Sequence, residues 1–258
     1  MPAKIDSPKI GSPKPRDGKQ ASRDDALVIG LVNNMPDGAI KATERQFVTL
    51  LDAAAGARTV SLRPMILPDV PRHPAARAEL LAHYEDVTTL APGDVDALIV
   101  TGAEPRTERL EDEPYWHSFT RLVDWAKDNT VSSVFSCLAA HAAALHLDGI
   151  ARRPLQGKLH GLFDCERRND HPLTASMPGQ YAAPHSRLNE LALEELAAKG
   201  YQVLTGSARA GADLFVRDGE SLFVFFQGHP EYDARSLLAE YHRDIVRFIK
   251  GERASYSG

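Results

Sequence analysis

Short apolar runs, each closed by turn residues, alternate along this chain with longer amphipathic stretches, a pattern that restricts it to folds in which strands and crossover helices take turns. Ala26–Val32 reads as a buried strand. Thr43 reads as the cap of a helix over Glu44–Ala55 that stops at Gly56, and Arg58–Leu67 as a second strand. A helix over Ala75–Tyr84 precedes the strand Asp96–Val100, which runs into Thr101-Gly102-Ala103. Trp116, Phe119, Leu122, Val123 and Ala126 recur at helical spacing between Glu113 and Asp128, the signature of a crossover helix with one apolar face.

Val131–Ser136 then forms a short strand, Cys137 follows at its end, and the Ala- and Leu-rich run Leu138–Leu147 forms a helix closed by Gly149. Further strands are expected at Leu159–Asp164, Gln202–Ser207, Leu214–Val216 and Leu222–Phe226, with helices at Asn189–Lys199 and Asp233–Lys250. The sum is an α/β fold: a mostly parallel sheet flanked by helices on both faces. In such sheets ligands sit beyond the strands' carboxyl ends, and Gly102, Cys137 and His229 all fall there.

The chain has 258 residues, of which 43% are hydrophobic and 25% charged, enough to bury a full core, and no apolar run approaches the roughly 18 residues of a membrane span. Residues 25–251 are expected to form a single α/β domain. Residues 1–24, rich in Lys, Pro, Ser and Gly and without a signal-peptide core, are expected to form a flexible tail. The net charge of −5 and the absence of a basic stripe with interleaved aromatics argue against nucleic acid as a partner. With two cysteines, Cys137 and Cys165, and no secretion signal, a cytoplasmic protein with a chemically active thiol fits better than a disulfide framework.

A cysteine held where a strand turns into a helix is presented to substrate beside the positive helix end that favours its thiolate. Cys137 has that setting, and the amide of Leu138 at the same helix start can donate to an oxyanion, with a second amide from the Gly102-Ala103 loop. Alone, Cys137 would more often be a small core filler. What raises it to a nucleophile is the apolar strand Phe223–Phe226, which ends in Gln227-Gly-His-Pro-Glu-Tyr232 and so presents His229 and Glu231 on one Pro-braced turn as base and orienter. Cys137 and His141 are also four apart on one helical face, but no further Cys or His pairs complete a metal set, so no metal is expected.

The elbow cysteine and the late Gly-His-Pro-Glu resemble the class I glutamine amidotransferase-like (flavodoxin-like) fold. The chain as a whole resembles the homoserine O-succinyltransferase family within it. The resemblance rests on Leu31-Val-Asn-Asn-Met-Pro36, Thr43-Glu-Arg-Gln-Phe47, Leu98-Ile-Val-Thr-Gly-Ala103, Tyr115-Trp116, Leu147-Asp-Gly-Ile150, Lys158-Leu-His-Gly161, Pro184-His-Ser-Arg187 and Gly228-His-Pro-Glu-Tyr-Asp233. It implies that Cys137 is acylated from an acyl-CoA and that His229 with Glu231 activates the thiol and then the acceptor hydroxyl. It also places Arg187 and Arg243 on the substrate carboxylate and Lys158, Ser186 and Glu240 in the substrate site. A homodimer, no permanently bound cofactor and a place in methionine biosynthesis follow from the same resemblance.

The chain departs from the family pattern at Leu138 and His141, where Trp and Gln are common, and at Asp37-Gly38, where lysine is frequent. It also ends soon after its last helix. Arg106 aligns with the position that selects between succinyl and acetyl donors and is neither of the residues familiar there. This leaves the donor open between succinyl-CoA and acetyl-CoA and the acceptor between homoserine and a similar amino acid, although a cation at Arg106 suits a dicarboxylic acyl group. Two other readings use the same residues: glutamine amide hydrolysis, and a non-catalytic binding protein on this fold.

Overall fold

The computed structural model describes residues 4–5 and 26–252 and divides the chain into two compact units, Met1–Ser133 and Val134–Gly258. The tail expected over 1–24 lies outside the described residues apart from Lys4–Ile5, which form the short strand β1.

In the first unit β2 (Ala26–Val32), α1 (Ile40–Ala55), β3 (Thr59–Ile66), α2 (Pro74–His83), β4 (Glu85–Asp86), β5 (Ala97–Val100) and α3 (Trp116–Asn129) follow in order. Every strand pairing here is parallel: β3 lies between β1 and β2, β2 pairs β5, and β4 adds to β3. Consecutive parallel strands need crossovers, and the amphipathic helices read from the sequence supply them. Leu31, Leu62, Met65, Leu98 and Val100 are fully buried, as strands covered on both faces require, and Phe119, Leu122, Val123 and Ala126 form the buried stripe of α3. Thr43 is not a cap. The turn closed by the Ala39 amide on the Pro36 carbonyl starts the helix at Ile40, which leaves Thr43 buried inside α1.

β6 (Ser132–Ser136) carries the chain across the division into α4 (Leu138–Asp148), which ends on Gly149 at φ 70° with its amide bonded to the last carbonyls. The second unit continues with β7 (Arg153–Arg167), β8 (Gln180–Glu190), α5 (Leu193–Ala198), β9 (Gln202–Val203), β10 (Thr205–Ser207), β11 (Gly211–Ala212), β12 (Leu214–Arg217), β13 (Leu222–Phe226) and α6 (Ser236–Ile249).

Two features here differ from the expectation. β12 pairs antiparallel with both β13 and β9, and β11, β10, β7 and β8 form a separate four-stranded antiparallel sheet. β8 carries Pro184-His-Ser-Arg187 and replaces the start of the helix expected at Asn189. Its composition hides it, because a proline in mid-strand and alternating polar residues read as loop. Proline is tolerated in β8 because the strand lies at an edge of its sheet.

The core of the second unit centres on stacked aromatics. Phe225 is fully buried, with ring centroids 4.9 Å from Phe215, 5.4 Å from Tyr201 and 5.5 Å from Phe135. Those rings tie β6, β12 and β13 to one another, the strands that end at the cysteine and at the histidine motif. Phe225→Ala is expected to cost about 3–5 kcal/mol, the usual price of an emptied aromatic core site. Urea unfolding of the two proteins checks this, and a loss under 1 kcal/mol would show that the stack is not the anchor.

Candidate active site

Cys137 follows β6 with φ 53° and ψ −117°, the one described non-glycine residue with positive φ. Such a conformation costs about 1–3 kcal/mol and persists only where its surroundings enforce it. The enforcement is visible: its amide donates to the Phe226 carbonyl at 2.8 Å, while its own carbonyl accepts from Ala140 at 3.0 Å and His141 at 3.3 Å, starting α4. The Leu138 amide belongs to the first turn of that helix, whose amides have no intrahelical acceptor and can meet an anion.

Where β13 ends, Gln227, Gly228 and His229 carry the chain to a turn closed by the Tyr232 amide on the His229 carbonyl at 3.2 Å. His229 Nδ1 lies 2.9 Å from Glu231 Oε1, both residues buried, and the ring also hydrogen-bonds Cys137. Burial disfavours charge on the imidazole, but the charges of Cys137 and Glu231 and the hydrogen bonds to both outweigh it, so the His229 pKa stands well above its ordinary value. Cys137, His229 and Glu231, read from the sequence as nucleophile, base and orienter, therefore meet. Tyr232 stacks on the His229 ring at 4.1 Å between centroids, with 16° between the planes.

His141 is buried behind the elbow, with Nε2 3.1 Å from Gln227 Oε1. Burial, with the nearby Arg187 and Arg152 charges, lowers its pKa to about 3 and keeps it neutral. Gln227 itself accepts from the Leu191 amide at 2.7 Å and donates to the Ala212 carbonyl at 2.8 Å. His141 thus links the cysteine's helix to the histidine's loop.

The residues that the resemblance assigns to substrate divide into two groups. Ser186 donates to Glu240, and Tyr232 donates to the other Glu240 oxygen at 2.8 Å. Lys158 donates to the fully buried Asp244 at 2.6 Å and lies 3.7 Å from Glu240, while Arg243 is 3.3 Å from Asp244 and 3.7 Å from Glu240. Burial opposes ionisation of Glu240, but hydrogen bonds from Ser186 and Tyr232 and the charge of Arg243 lower its pKa. Arg187 stands apart: it is buried, and its donors go to the Asn189 carbonyl at 2.7 Å, the Ala210 carbonyl and His185 Nδ1. Burial lowers its pKa, with the surrounding negative groups offsetting only part of the effect.

In the first unit Gly102 and Ala103 follow β5, and Arg106 is exposed in the same loop. That loop is held from within by the buried Glu113, which accepts from the Arg106 and Thr107 amides at 2.6 and 2.9 Å. The Leu31–Pro36 segment is fixed by the Asn34 amide and side chain, which donate to Thr101 at 2.8 and 3.1 Å. A cavity of about 330 Å³ opens there, lined among others by Asn34, Asp37, Arg72, Ala103 and Arg106.

Sequence reasoning missed Tyr232, Asp244, Gln227, His185 and Asp213. Tyr232 and Gln227 stand within the motif that carries His229. Asp213 and Asp244 give no local signal, since their partners are distant in the chain. Cys165, His185 and Asp213 place ligand-type atoms within 4.8 Å of one another. The set suits a metal poorly: burial pushes the Cys165 thiol up to about 12, and His185 and Asp213 are already engaged with each other and with neighbours. Iodoacetamide is expected to label Cys137, partly exposed, and to spare the buried Cys165 in the native protein. Peptide mapping checks this, and equal labelling would mean that the two thiols do not differ in access or reactivity.

A family model for homoserine O-succinyltransferase matches residues 15–255. A homoserine O-succinyltransferase of Rhodopseudomonas palustris is 55% identical over 89% of this chain and 69% of its own length. One of Methylorubrum extorquens is 52% identical over 88% and 67%, and one of Bradyrhizobium japonicum is 48% identical over 98% and 78%. Among solved structures, a glutamine amidotransferase from Thermotoga maritima aligns with a TM-score of 0.58 at 12% identity, covering 88% of this chain and 85% of its own. The glutaminase domain of Trypanosoma brucei CTPS aligns at 0.55 and 12% identity, over 90% and 96%. At such identities these two establish the fold, class I glutamine amidotransferase-like, while the family match and the relatives show that this chain belongs to the homoserine O-succinyltransferase family.

Proposed function

We propose that this chain transfers a succinyl group from succinyl-CoA to the hydroxyl of homoserine through a thioester on Cys137, a step of methionine biosynthesis. The observation that carries the reading is the buried His229 bonded on one side to Glu231 at 2.9 Å and on the other to Cys137. His229 takes the Cys137 proton, the sulfur attacks the acyl-CoA carbonyl, and the Leu138 amide at the start of α4 donates to the oxygen as it becomes negative. Collapse expels the CoA sulfur, which His229 protonates. His229 then accepts the proton of the homoserine hydroxyl as that oxygen attacks the thioester, and the Cys137 sulfur leaves with the proton returned. Glu231 holds the ring in one orientation and stabilises its cationic form in each half.

An amino-acid acceptor presents an ammonium and a carboxylate, and the Glu240–Arg243 pair offers the complementary charges. Arg187 has its donors committed to backbone carbonyls, so the carboxylate falls to the partly exposed Arg243, and the ionised Glu240 takes the ammonium. Arg106 is assigned the choice of donor by the resemblance, in which a cation suits the free succinyl carboxylate. A soluble cytoplasmic homodimer is part of the same reading. No helix among the described residues is long and apolar enough to cross a membrane.

Incubation with succinyl-CoA without acceptor, followed by the intact mass, tests the central step. The wild type should gain one succinyl group, and Cys137→Ala none. Release of ammonia from glutamine with no acyl adduct would move the activity to amide hydrolysis, and neither result would leave a binding protein. Arg243→Ala is expected to raise KM for homoserine by the roughly 1.5–3 kcal/mol of a charge-assisted hydrogen bond, with acylation of Cys137 left intact. An unchanged KM, measured at saturating succinyl-CoA, would take Arg243 out of the acceptor site.

A further inference from the structure

We infer that Asp213 and His185 are positioning residues that fix the loop carrying His229 in the orientation proton transfer needs, an inference that rests on the acyl-transfer reading above. Three successive amides of that loop are pinned to this pair or its strand. Gln227 donates to the Asp213 carbonyl at 2.8 Å, Gly228 donates to the Asp213 carboxylate, and His229 donates to the Pro184 carbonyl at 2.9 Å. Gly228 has no room for a side chain: a Cβ there would stand 2.6 Å from Asp213 Oδ1, 2.9 Å from the Pro184 carbonyl oxygen and 3.1 Å from His185 Cε1. The loop is therefore pressed directly onto the carboxylate and onto β8, and any shift of either moves the His229 backbone.

The pair is itself held from several sides. Asp213 precedes β12, with its amide on the Thr205 carbonyl at 3.0 Å and its carboxylate receiving the Tyr181 hydroxyl at 2.7 Å and Thr205 Oγ1 at 3.4 Å. His185 Nε2 lies 3.3 Å from Asp213 Oδ1, and Arg187 Nε donates to His185 Nδ1 at 3.3 Å, so the neutral ring carries its proton on the side of Asp213. Burial lowers the His185 pKa, only partly offset by Asp213. For Asp213 burial acts against ionisation, but the His185 ring beside it and hydrogen bonds from Tyr181 and the Gly228 amide prevail. The result is a buried carboxylate that accepts from a phenol, a hydroxyl and the loop amide, with the His185 ring 3.3 Å away. This also accounts for the buried Arg187: its guanidinium sets the His185 tautomer and ties β8 to the Ala210 carbonyl.

Asp213→Asn keeps the volume and removes the charge on which those donors converge. It is expected to lower kcat by roughly ten- to a hundredfold, the cost of a small misplacement of a reacting group, with KM for both substrates held within about twofold. A role in folding alone would not move the pH dependence of Cys137 alkylation, which reports the coupling of the thiol to His229. That profile is expected to shift in Asp213→Asn, measured well below the variant's Tm, and to shift less in Tyr181→Phe, which removes one donor and leaves the loop contacts. Should Asp213→Asn fail to fold, Gly228→Ala disturbs the same contact from the loop side and is held to the same readouts. Wild-type kcat and an unchanged alkylation profile in the folded variant overturn the inference. Absence of a succinyl adduct on the wild type would instead sink the acyl-transfer reading, while the alkylation profile, which needs no substrate, still decides the positioning.

Discussion

The hydrogen bond from the Cys137 amide to the Phe226 carbonyl joins two strand ends, and the site depends on it. A non-glycine residue at φ 53° relaxes toward an ordinary conformation unless something outweighs the strain. Here the opposing forces are this bond, the start of α4 on the Cys137 carbonyl, and the aromatic stack of Phe135, Phe215 and Phe225 that fixes β6, β12 and β13 beneath it. The same bond sets the distance between cysteine and histidine, because Phe226 lies three residues before His229 on the chain. Hydrophobic packing, which is not directional, supplies the energy, and one directional bond converts it into the placement of a sulfur atom.

Charge is handled by giving each buried carboxylate a partner and not by exposing it. Glu231 meets His229, Asp213 meets His185, Tyr181 and the Gly228 amide, and Asp244 meets Lys158 and Arg243. A buried ion without partners costs several kcal/mol, so each of these acids constrains the groups around it as strongly as they stabilise it. That reciprocity explains why the site's rigid parts are polar. A neutral His141 bridging α4 and Gln227 does similar work without a charge, since burial holds its pKa near 3.

Local pattern carried much of this structure. β2, β3, β5 and β6 fall within a residue or so of their expected ends, because buried parallel strands are continuous apolar runs and their crossover helices show a 3.6-residue period. The elbow and the His-Pro-Glu turn were legible for a related reason: their chemistry lies in adjacent residues. The antiparallel sheet was not. β7 and β8 are largely polar and partly exposed, β8 holds a proline, and their pairing, Leu159 with Arg187 through Glu166 with Gln180, joins residues 28 to 14 positions apart. Asp213 and Asp244 were illegible because a buried charge is defined by its partners, and those lie on other elements, while His185 stood in a quoted motif that gave no sign of its contact with Asp213. Arg187 shows the other side of that limit, since a family motif marks it without saying that its guanidinium faces backbone carbonyls.

Glu240 stands both in the acceptor group proposed above and against the ring that stacks on His229. Its Oε1 receives the Tyr232 hydroxyl at 2.8 Å, and the Tyr232 ring lies 4.1 Å from that of His229. Under the proposed acceptor site, a ligand ammonium drawn to Glu240 would compete for the oxygen that holds Tyr232, which would bring acceptor binding and imidazole packing together at one carboxylate. Lys158 limits the coupling: with its ammonium committed to Asp244 at 2.6 Å it stands 3.7 Å from Glu240, close enough to favour the ionised acid and too far to occupy it. The second carboxylate, Asp244, therefore keeps the Lys158 ammonium off the first, which gives the one fully buried residue of α6 a reason to be there.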